Sequence, residues 1–230
     1  NLEYDGGYFL YRNVNGVFQN NSFDVGPVHP SVGRAKFGDF DNDGGLDIIV
    51  IGTFLLQYSD GWTFMTRYFS NNNGLFEEVQ IGLTFPQTGS YWGSTLHVLD
   101  YEHDGKLDYI ASNTLFRNTM SMPLNTPPSI PTASHATDEG DYMTLYWNPS
   151  TDNQTNSQAL SYTIKVGTSP GSDDVYPAVQ EENGFLITPE FGYTHSNCFW
   201  KVHKSIFSEG NSYYWSVQAI DSGYMSSGYS

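Results

Sequence analysis

The chain is poor in basic residues and in cysteine. Only 9 Lys and Arg stand against 25 Asp and Glu, which gives a formal net charge of −16. Nucleic-acid-binding proteins need clustered Lys and Arg to neutralise phosphates, and adsorption to an anionic membrane needs the same residues. The sequence therefore argues against both partners. Because Cys198 is the only cysteine, no intrachain disulfide can form, and we expect packing and metal binding to stabilise the chain.

Long apolar runs, helical periodicity and catalytic motifs are also missing. No apolar stretch reaches the roughly 18 residues of a membrane span. There is no GxSxG, HExxH or P-loop motif, and the six histidines do not have zinc or nucleophile spacing. We therefore expect neither membrane insertion nor an enzyme. Aromatic residues make up 16% of the chain and glycine contributes 23 residues, a composition that favours an all-β protein.

What the chain does have is an acidic loop that occurs twice, with acidic residues at positions 1, 3, 5 and 9 and glycine at position 6. In the first loop the four positions are Asp39, Asp41, Asp43 and Asp47. In the second they are Asp100, Glu102, Asp104 and Asp108. Four carboxylates in nine residues repel one another unless a hard cation neutralises them, and Ca²⁺ prefers such oxygen ligands. The pattern predicts two Ca²⁺ sites, although metal-free surface turns are also rich in Asp, Asn and Gly.

The glycine at position 6 lets the backbone turn so that the carbonyl oxygen of position 7 faces the metal. Gly45 and Lys106 are the residues expected to supply that oxygen. We expect the second site to be the weaker, because Glu102 replaces a shorter Asp, and His103 and Lys106 place actual or potential positive charge nearby.

The loops do not end as an EF-hand does. Position 12 is Val50 in one copy and Ala111 in the other, and the runs IIVIG and YIASN that follow indicate buried strands. A calcium loop between strands resembles the FG-GAP (VCBS-type) repeat, which forms the blades of the integrin α-subunit β-propeller. The resemblance rests on Phe37, Gly38 and the two loops with their strands, and it implies propeller blades over residues 1–119.

The two loops are 61 residues apart, a period appropriate to a four-stranded blade with loop insertions. The aromatic-polar segments LYRNVNGVFQ, SNNNGLFEEV and LFRNT repeat as well. Fewer than three blades are present, whereas a closed propeller needs about four to eight. We therefore expect an incomplete blade set, and we interpret the chain as a mature or internal fragment of a larger protein.

Residues 120–130 are proline-rich and predict a stiff linker. After it, TLYWNPSTD, LSYTIKVGTSP and SYYWSVQAID alternate apolar and polar residues and end in turn residues, as the strands of a β-sandwich do. Residues 131–230 resemble a fibronectin type III domain. The resemblance implies core positions for Trp147 and Tyr162 and a tyrosine corner at Tyr213.

This order of segments resembles large secreted or cell-surface proteins of Bacteroidota-like bacteria, and that resemblance implies an extracellular location. We expect a calcium-binding adhesion or binding module with a protein or glycan ligand, and with possible self-assembly or contact with other parts of a larger chain. Two alternatives stay open: a fragment of a calcium-dependent polysaccharide-active, lyase-like propeller enzyme, and a structural spacer or filament subunit. Tyr91, Trp92 and Tyr224 could stack on sugar rings, but core positions are favoured.

Overall fold

The computed structural model of the chain describes residues 9–20, 33–55, 62–79, 95–111, 113–179 and 190–230. Within these ranges the protein is all-β, as predicted, and has no α-helix. None of its described helical segments is long and apolar enough to cross a membrane. The chain divides into two compact units, the first comprising Asn1–Phe40, Gly45–Val98 and Leu107–Met120, and the second Asp41–Gly44, Leu99–Lys106 and Ser121–Ser230.

The described residues before Met120 form nine strands. They are β1 (Tyr11–Val14), β2 (Val17–Asn20), β3 (Arg34–Gly38), β4 (Asp47–Leu55), β5 (Trp62–Asn72), β6 (Leu75–Val79), β7 (Leu96–Leu99), β8 (Asp108–Ala111) and β9 (Thr114–Phe116). β1 and β2 form a hairpin, β3 to β6 form a four-stranded antiparallel sheet in chain order, and β7 to β9 form a three-stranded sheet.

β4 lies inside the four-stranded sheet, between β3 and β5. Its residues Ile49, Val50 and Ile51 are fully buried. This is the burial that a continuous β-branched run predicts, because a strand covered on both faces has no polar side to expose. Ile48 and Val50 pack with Phe69 of β5 in one apolar cluster. The acidic loop that precedes β4 is therefore attached directly to a well-packed strand.

Two hairpins, β1–β2 and β5–β6, have the same turn. An Asn-Gly pair adopts the left-handed backbone in both, at Asn15 (φ 53°), Gly16 (φ 85°), Asn73 (φ 54°) and Gly74 (φ 92°). Such a pair suits a tight hairpin because its backbone twist matches that of the flanking strands. The side-chain oxygens of Asn13 and Asn71 accept the glycine amide of their turn at 2.8 and 2.7 Å. The sequence repeat is thus a repeat of local structure.

The remaining strands belong to the second unit. They are β10 (Thr132–Glu139), β11 (Tyr142–Asn148), β12 (Ser161–Gly167), β13 (Phe199–His203) and β14 (Tyr214–Ile220), with a 3-10 helix at Lys204–Ile206. β10, β11 and β13 form one antiparallel sheet, and β12 and β14 form another. Alternate residues of β11, β12 and β14 share one core, in which the rings of Trp147 and Tyr162 meet edge to face at 5.6 Å.

The turn that leads into β14 is closed by a side chain. The Tyr213 hydroxyl accepts a hydrogen bond from the backbone N–H of Ser208 at 2.7 Å, and its ring packs against Phe207. Tyr213 therefore fixes the path of the chain at the start of β14.

The proline-rich segment forms no strand, yet it is held at several points within the second unit. The side-chain amide of Asn125, which is buried, donates to Asp221 at 2.9 Å. Farther along, the backbone N–H of Ser129 donates to the carbonyl oxygen of Thr151 at 2.8 Å. These bonds compensate for the ladder hydrogen bonds that prolines cannot donate.

Candidate metal centre

The two acidic loops have the same backbone pattern. In the first, positions 4 and 6 are left-handed, with φ of 56° at Asn42 and 90° at Gly44. In the second, the same positions are left-handed, with φ of 57° at His103 and 77° at Gly105. Glycine is needed at Gly44 for a second reason: a Cβ there would lie 1.8 Å from the carbonyl oxygen of Gln154. The predicted sharp turn at position 6 is present in both loops.

The first loop brings three carboxylates together. Asp39 follows the end of β3, and Asp41 and Asp43 follow at alternate positions, so that one oxygen of each lies within 4.8 Å of the others. Asp39 is buried, Asp41 is half-buried and Asp43 is exposed. The group thus has an inner end fixed by the fold and an outer end open to solvent.

Such a group fits a hard cation better than it fits any other ligand. All three donors are carboxylate oxygens, and three like charges at this spacing repel one another until a positive charge lies between them. No imidazole or thiolate belongs to the group, which makes Ca²⁺ or Mg²⁺ better candidates than a soft metal. The arrangement can bind a metal ion.

Asp47, predicted at position 9, does not belong to this group of three. It is fully buried, and its carboxylate accepts hydrogen bonds from the Phe40 N–H at 2.9 Å, the Tyr68 hydroxyl at 2.8 Å and the Asn71 N–H at 2.9 Å. These donors come from the loop and from β5. Asp47 therefore joins the loop to the sheet, and its predicted metal coordination stays a prediction.

Asp108, at position 9 of the second loop, repeats this role. It is buried, and its carboxylate accepts the backbone N–H of Asn118 at 2.7 Å. The backbone N–H of Asn71 makes the same bond to Asp47 in the first loop. In each copy, the last carboxylate of the loop anchors the Asn of a later segment.

The other carboxylates of the second loop are arranged differently from those of the first. Among the described residues, no group of three acidic or imidazole side chains converges in this loop. The Asp100 carboxylate accepts the N–H groups of Asp104 at 3.1 Å and Gly105 at 2.8 Å. Asp104 accepts that of Lys106 at 3.1 Å, much as Asp41 accepts that of Asp43 at 3.3 Å in the first loop. Metal coordination by the second-loop carboxylates and by the two position-7 carbonyl oxygens stays a prediction. The residues concerned are Asp100, Glu102, Asp104, Gly45 and Lys106.

One important residue of this region was not predicted. The side-chain nitrogen of Asn42 donates to the carbonyl oxygens of Gly105 and Pro123, both at 2.9 Å, and all three residues belong to the second unit. Asn42 is 2% exposed, and its own side-chain oxygen has no hydrogen-bond partner among the residues that the structure describes. Its position within an acidic loop suggested only a turn, because both partners are distant in the sequence.

Two further side chains, Cys198 and Tyr224, belong to the second unit. Cys198 packs against the core of the second unit, and burial raises the pKa of its thiol, which favours the protonated, unreactive form. The ring of Tyr224 packs against that of Phe191 at 4.9 Å. Tyr91 and Trp92 lie outside the described residues.

Comparison with known proteins adds no relative. No protein-family model, no curated protein and no solved structure matches the chain.

Proposed function

We propose that this chain is a calcium-binding, non-catalytic binding module of a secreted or cell-surface protein. The proposal combines FG-GAP-type blades before residue 120 with a fibronectin type III-like sandwich after residue 130. The observation that carries it is the convergence of Asp39, Asp41 and Asp43 in the first loop. Bound Ca²⁺ would replace their mutual repulsion with coordination and so stabilise the connection from β3 to β4.

The repetition of local structure supports the blade interpretation. Both loops are left-handed at positions 4 and 6, and in both the position-9 carboxylate accepts the N–H of an Asn in a later segment. A chance acidic turn has no reason to repeat these features 61 residues later. The repeat therefore favours the interpretation that both loops have the same role, and it argues against ordinary surface turns.

The sandwich interpretation has separate support. The Tyr213 hydroxyl accepts the Ser208 N–H, as a tyrosine corner requires, and Trp147 and Tyr162 occupy the shared core of the two sheets. In this proposal the sandwich and the blades present loops to a protein or glycan partner, and calcium fixes the loops without contacting that partner.

Calorimetric Ca²⁺ titration of the metal-stripped chain tests the proposal. We expect binding at the first loop that Asp43→Ala weakens by at least about tenfold, since even indirect disturbance of a metal site costs about 10- to 100-fold. Asp43 is exposed, so its replacement should not disturb the core. Asp173→Ala, at an exposed acidic turn of the second unit, is the matched control and should bind as the unmodified chain does.

Absence of any Ca²⁺ heat at millimolar concentration would overturn the calcium proposal. Equal binding by the unmodified chain and by Asp43→Ala would place the ion elsewhere. A titration with Mg²⁺ in place of Ca²⁺ distinguishes the two hard cations, because Mg²⁺ requires a smaller octahedral site and retains its water more strongly.

A further inference from the structure

The tip of the first acidic loop belongs to the second unit. Asp41–Gly44 is grouped there with Leu99–Lys106 of the second loop and with Ser121–Ser230. At Gly44 the tip approaches the turn at Gln154 so closely that a Cβ would lie 1.8 Å from the Gln154 carbonyl oxygen. The tip is therefore packed on the second unit at Gly44, with room for a hydrogen atom only.

Asn42 holds the same tip with its side chain. The side-chain nitrogen donates to the carbonyl oxygens of Gly105 and Pro123, at 2.9 Å each, and the residue is 2% exposed. Within the described part of the chain, the side-chain oxygen of Asn42 accepts no hydrogen bond. The two donated bonds are therefore the hydrogen bonds by which this side chain docks the tip.

The docked tip has the conformation that the candidate metal site requires. Asn42 lies between Asp41 and Asp43, and one oxygen of each carboxylate lies within 4.8 Å of one from Asp39. Without a cation, this convergence is opposed by the repulsion among three negative charges. A released tip has no contact that keeps the carboxylates together, so it should bind a cation less tightly. Calcium and the Asn42 bonds thus favour the same conformation, and each should strengthen the other.

We propose that Asn42 is a positioning residue of the calcium site and couples this site to the proline-rich segment. Its two hydrogen bonds hold the loop tip in the conformation that binds calcium, and bound calcium in turn holds the segment at Pro123. The inference rests on the calcium binding proposed above and adds to it a form of regulation. Residues 121–126 contain no carboxylate that could bind the ion, yet their stability depends on it.

Calorimetric Ca²⁺ titration of the metal-stripped chain tests the first half of this coupling. Asn42→Gly removes both donated bonds and keeps the left-handed backbone, with φ of 56°. It should weaken binding at the first loop about fivefold or more, the lower end of typical coupling between sites. Asn15→Gly is the same substitution at an exposed hairpin turn with φ of 53°, and it should bind as the unmodified chain does. Circular dichroism and melting confirm that both variants are folded.

Amide hydrogen exchange over residues 121–126 tests the second half. Because coupling is reciprocal, saturating Ca²⁺ should slow this exchange in the unmodified chain by a factor of the same order. The slowing should be lost in Asn42→Gly, even at saturating Ca²⁺, and kept in Asn15→Gly. Asn42→Asp should also lose it, because this side chain tolerates the left-handed backbone without the flexibility of glycine but cannot donate as a carboxylate.

The outcomes separate this inference from the calcium proposal itself. Equal Ca²⁺ affinity of Asn42→Gly and the unmodified chain would overturn the inference and leave the calcium site in place. So would exchange over residues 121–126 that Ca²⁺ does not slow, or slowing that persists in Asn42→Asp. If the unmodified chain binds no Ca²⁺, the inference fails together with the proposed function.

Discussion

The side-chain amide of Asn42 donates a hydrogen bond to the carbonyl oxygen of Gly105 at 2.9 Å, which joins the tips of the two acidic loops directly. The same nitrogen donates to the carbonyl oxygen of Pro123, also at 2.9 Å. One buried side chain therefore connects both loops to the proline-rich segment.

Replacing Asn42 with glycine should destabilise the second unit. Glycine accepts the left-handed backbone at this position, with φ of 56°, so the substitution removes the two hydrogen bonds without adding strain. Gly105 is half-buried and Pro123 is exposed, so water can reach the carbonyl oxygens, and we expect each lost hydrogen bond to cost its net contribution of about 0.5 to 1.5 kcal/mol. Urea denaturation followed by tryptophan fluorescence measures this loss.

The matched control for that variant is Asn153→Gly. Asn153 is exposed, and its side-chain nitrogen makes a longer bond, 3.3 Å, to the hydroxyl of Thr126. We expect a change of less than about 0.5 kcal/mol, as is usual for surface substitutions. Equal destabilisation by the two variants would show that the Asn42 hydrogen bonds contribute no more to stability than the exposed Asn153 bond does.

Calcium removal should lower the melting temperature of the chain. Binding to the folded state alone stabilises it by about 2.7 kcal/mol at a free Ca²⁺ concentration 100 times Kd. For a chain of 230 residues that melts as one, about 2 to 4 °C per kcal/mol makes the expected shift roughly 5 to 10 °C. Differential scanning calorimetry with excess Ca²⁺ or excess chelator measures it.

The same scan on Asp43→Ala and Asp104→Ala compares the two loops. Asp43 belongs to the converging group of the first loop, whereas among the described residues no such group includes Asp104. We therefore expect Asp43→Ala to abolish more of the calcium-dependent shift than Asp104→Ala does. The reverse order would make the second loop the stronger site.

Asp47→Ala should destabilise the first unit even when no calcium is present. The substitution leaves the N–H groups of Phe40 and Asn71 and the hydroxyl of Tyr68 without their acceptor. Three orphaned donors at a fully buried position should cost about 3 kcal/mol or more. Urea denaturation in chelator measures this loss, with Asp43→Ala, which should change little, as control. A loss seen only in Ca²⁺ would make coordination the main role of Asp47.

Local features of this structure were predictable from the sequence, whereas the long-range bonds were not. The IIVIG strand, the turn at Gly44 and the convergence of Asp39 with Asp41 all follow from neighbouring residues, whose spacing fixes which faces they share. The partners of Asn42 lie 63 and 81 residues away, and no local pattern indicates them.

Strand β13 shows the same limit. It pairs with β11, more than 50 residues earlier, and its sequence FWKVH is too short to show a clear alternation. The hydrogen-bonding role of Asp47 was missed for a related reason. A carboxylate at a metal-ligand position and a carboxylate that bonds buried N–H groups have the same signature in the sequence, and only the positions of Tyr68 and Asn71 distinguish them.

Asp221 should make the second unit less stable as the pH rises from about 4 to about 7. Burial is the main reason why the pKa of this carboxyl is raised to about 7, and the nearby charge of Asp152 also raises the pKa. Hydrogen bonds from the Met225 N–H and the Asn125 side chain lower the pKa but do not offset the burial. Between the unfolded pKa near 3.8 and the folded one, the folded chain holds a proton that the unfolded chain releases. The stabilisation is therefore complete below pH 4 and is lost as the pH passes through 7, at up to about 1.4 kcal/mol per pH unit.

Urea denaturation from pH 2 to 8, compared between the unmodified chain and Asp221→Asn, measures this contribution. The amide does not titrate, so the variant should gain stability relative to the unmodified chain as the pH rises. Asp174→Asn is the control with the opposite sign, because hydrogen bonds from Thr168 and Ser172 lower the pKa of Asp174 to about 2, and its contribution is lost only as the pH falls toward that value. Parallel stability curves for the unmodified chain and Asp221→Asn would show that Asp221 is already ionised in the folded protein, with its charge balanced by the Asn125 and Met225 donors.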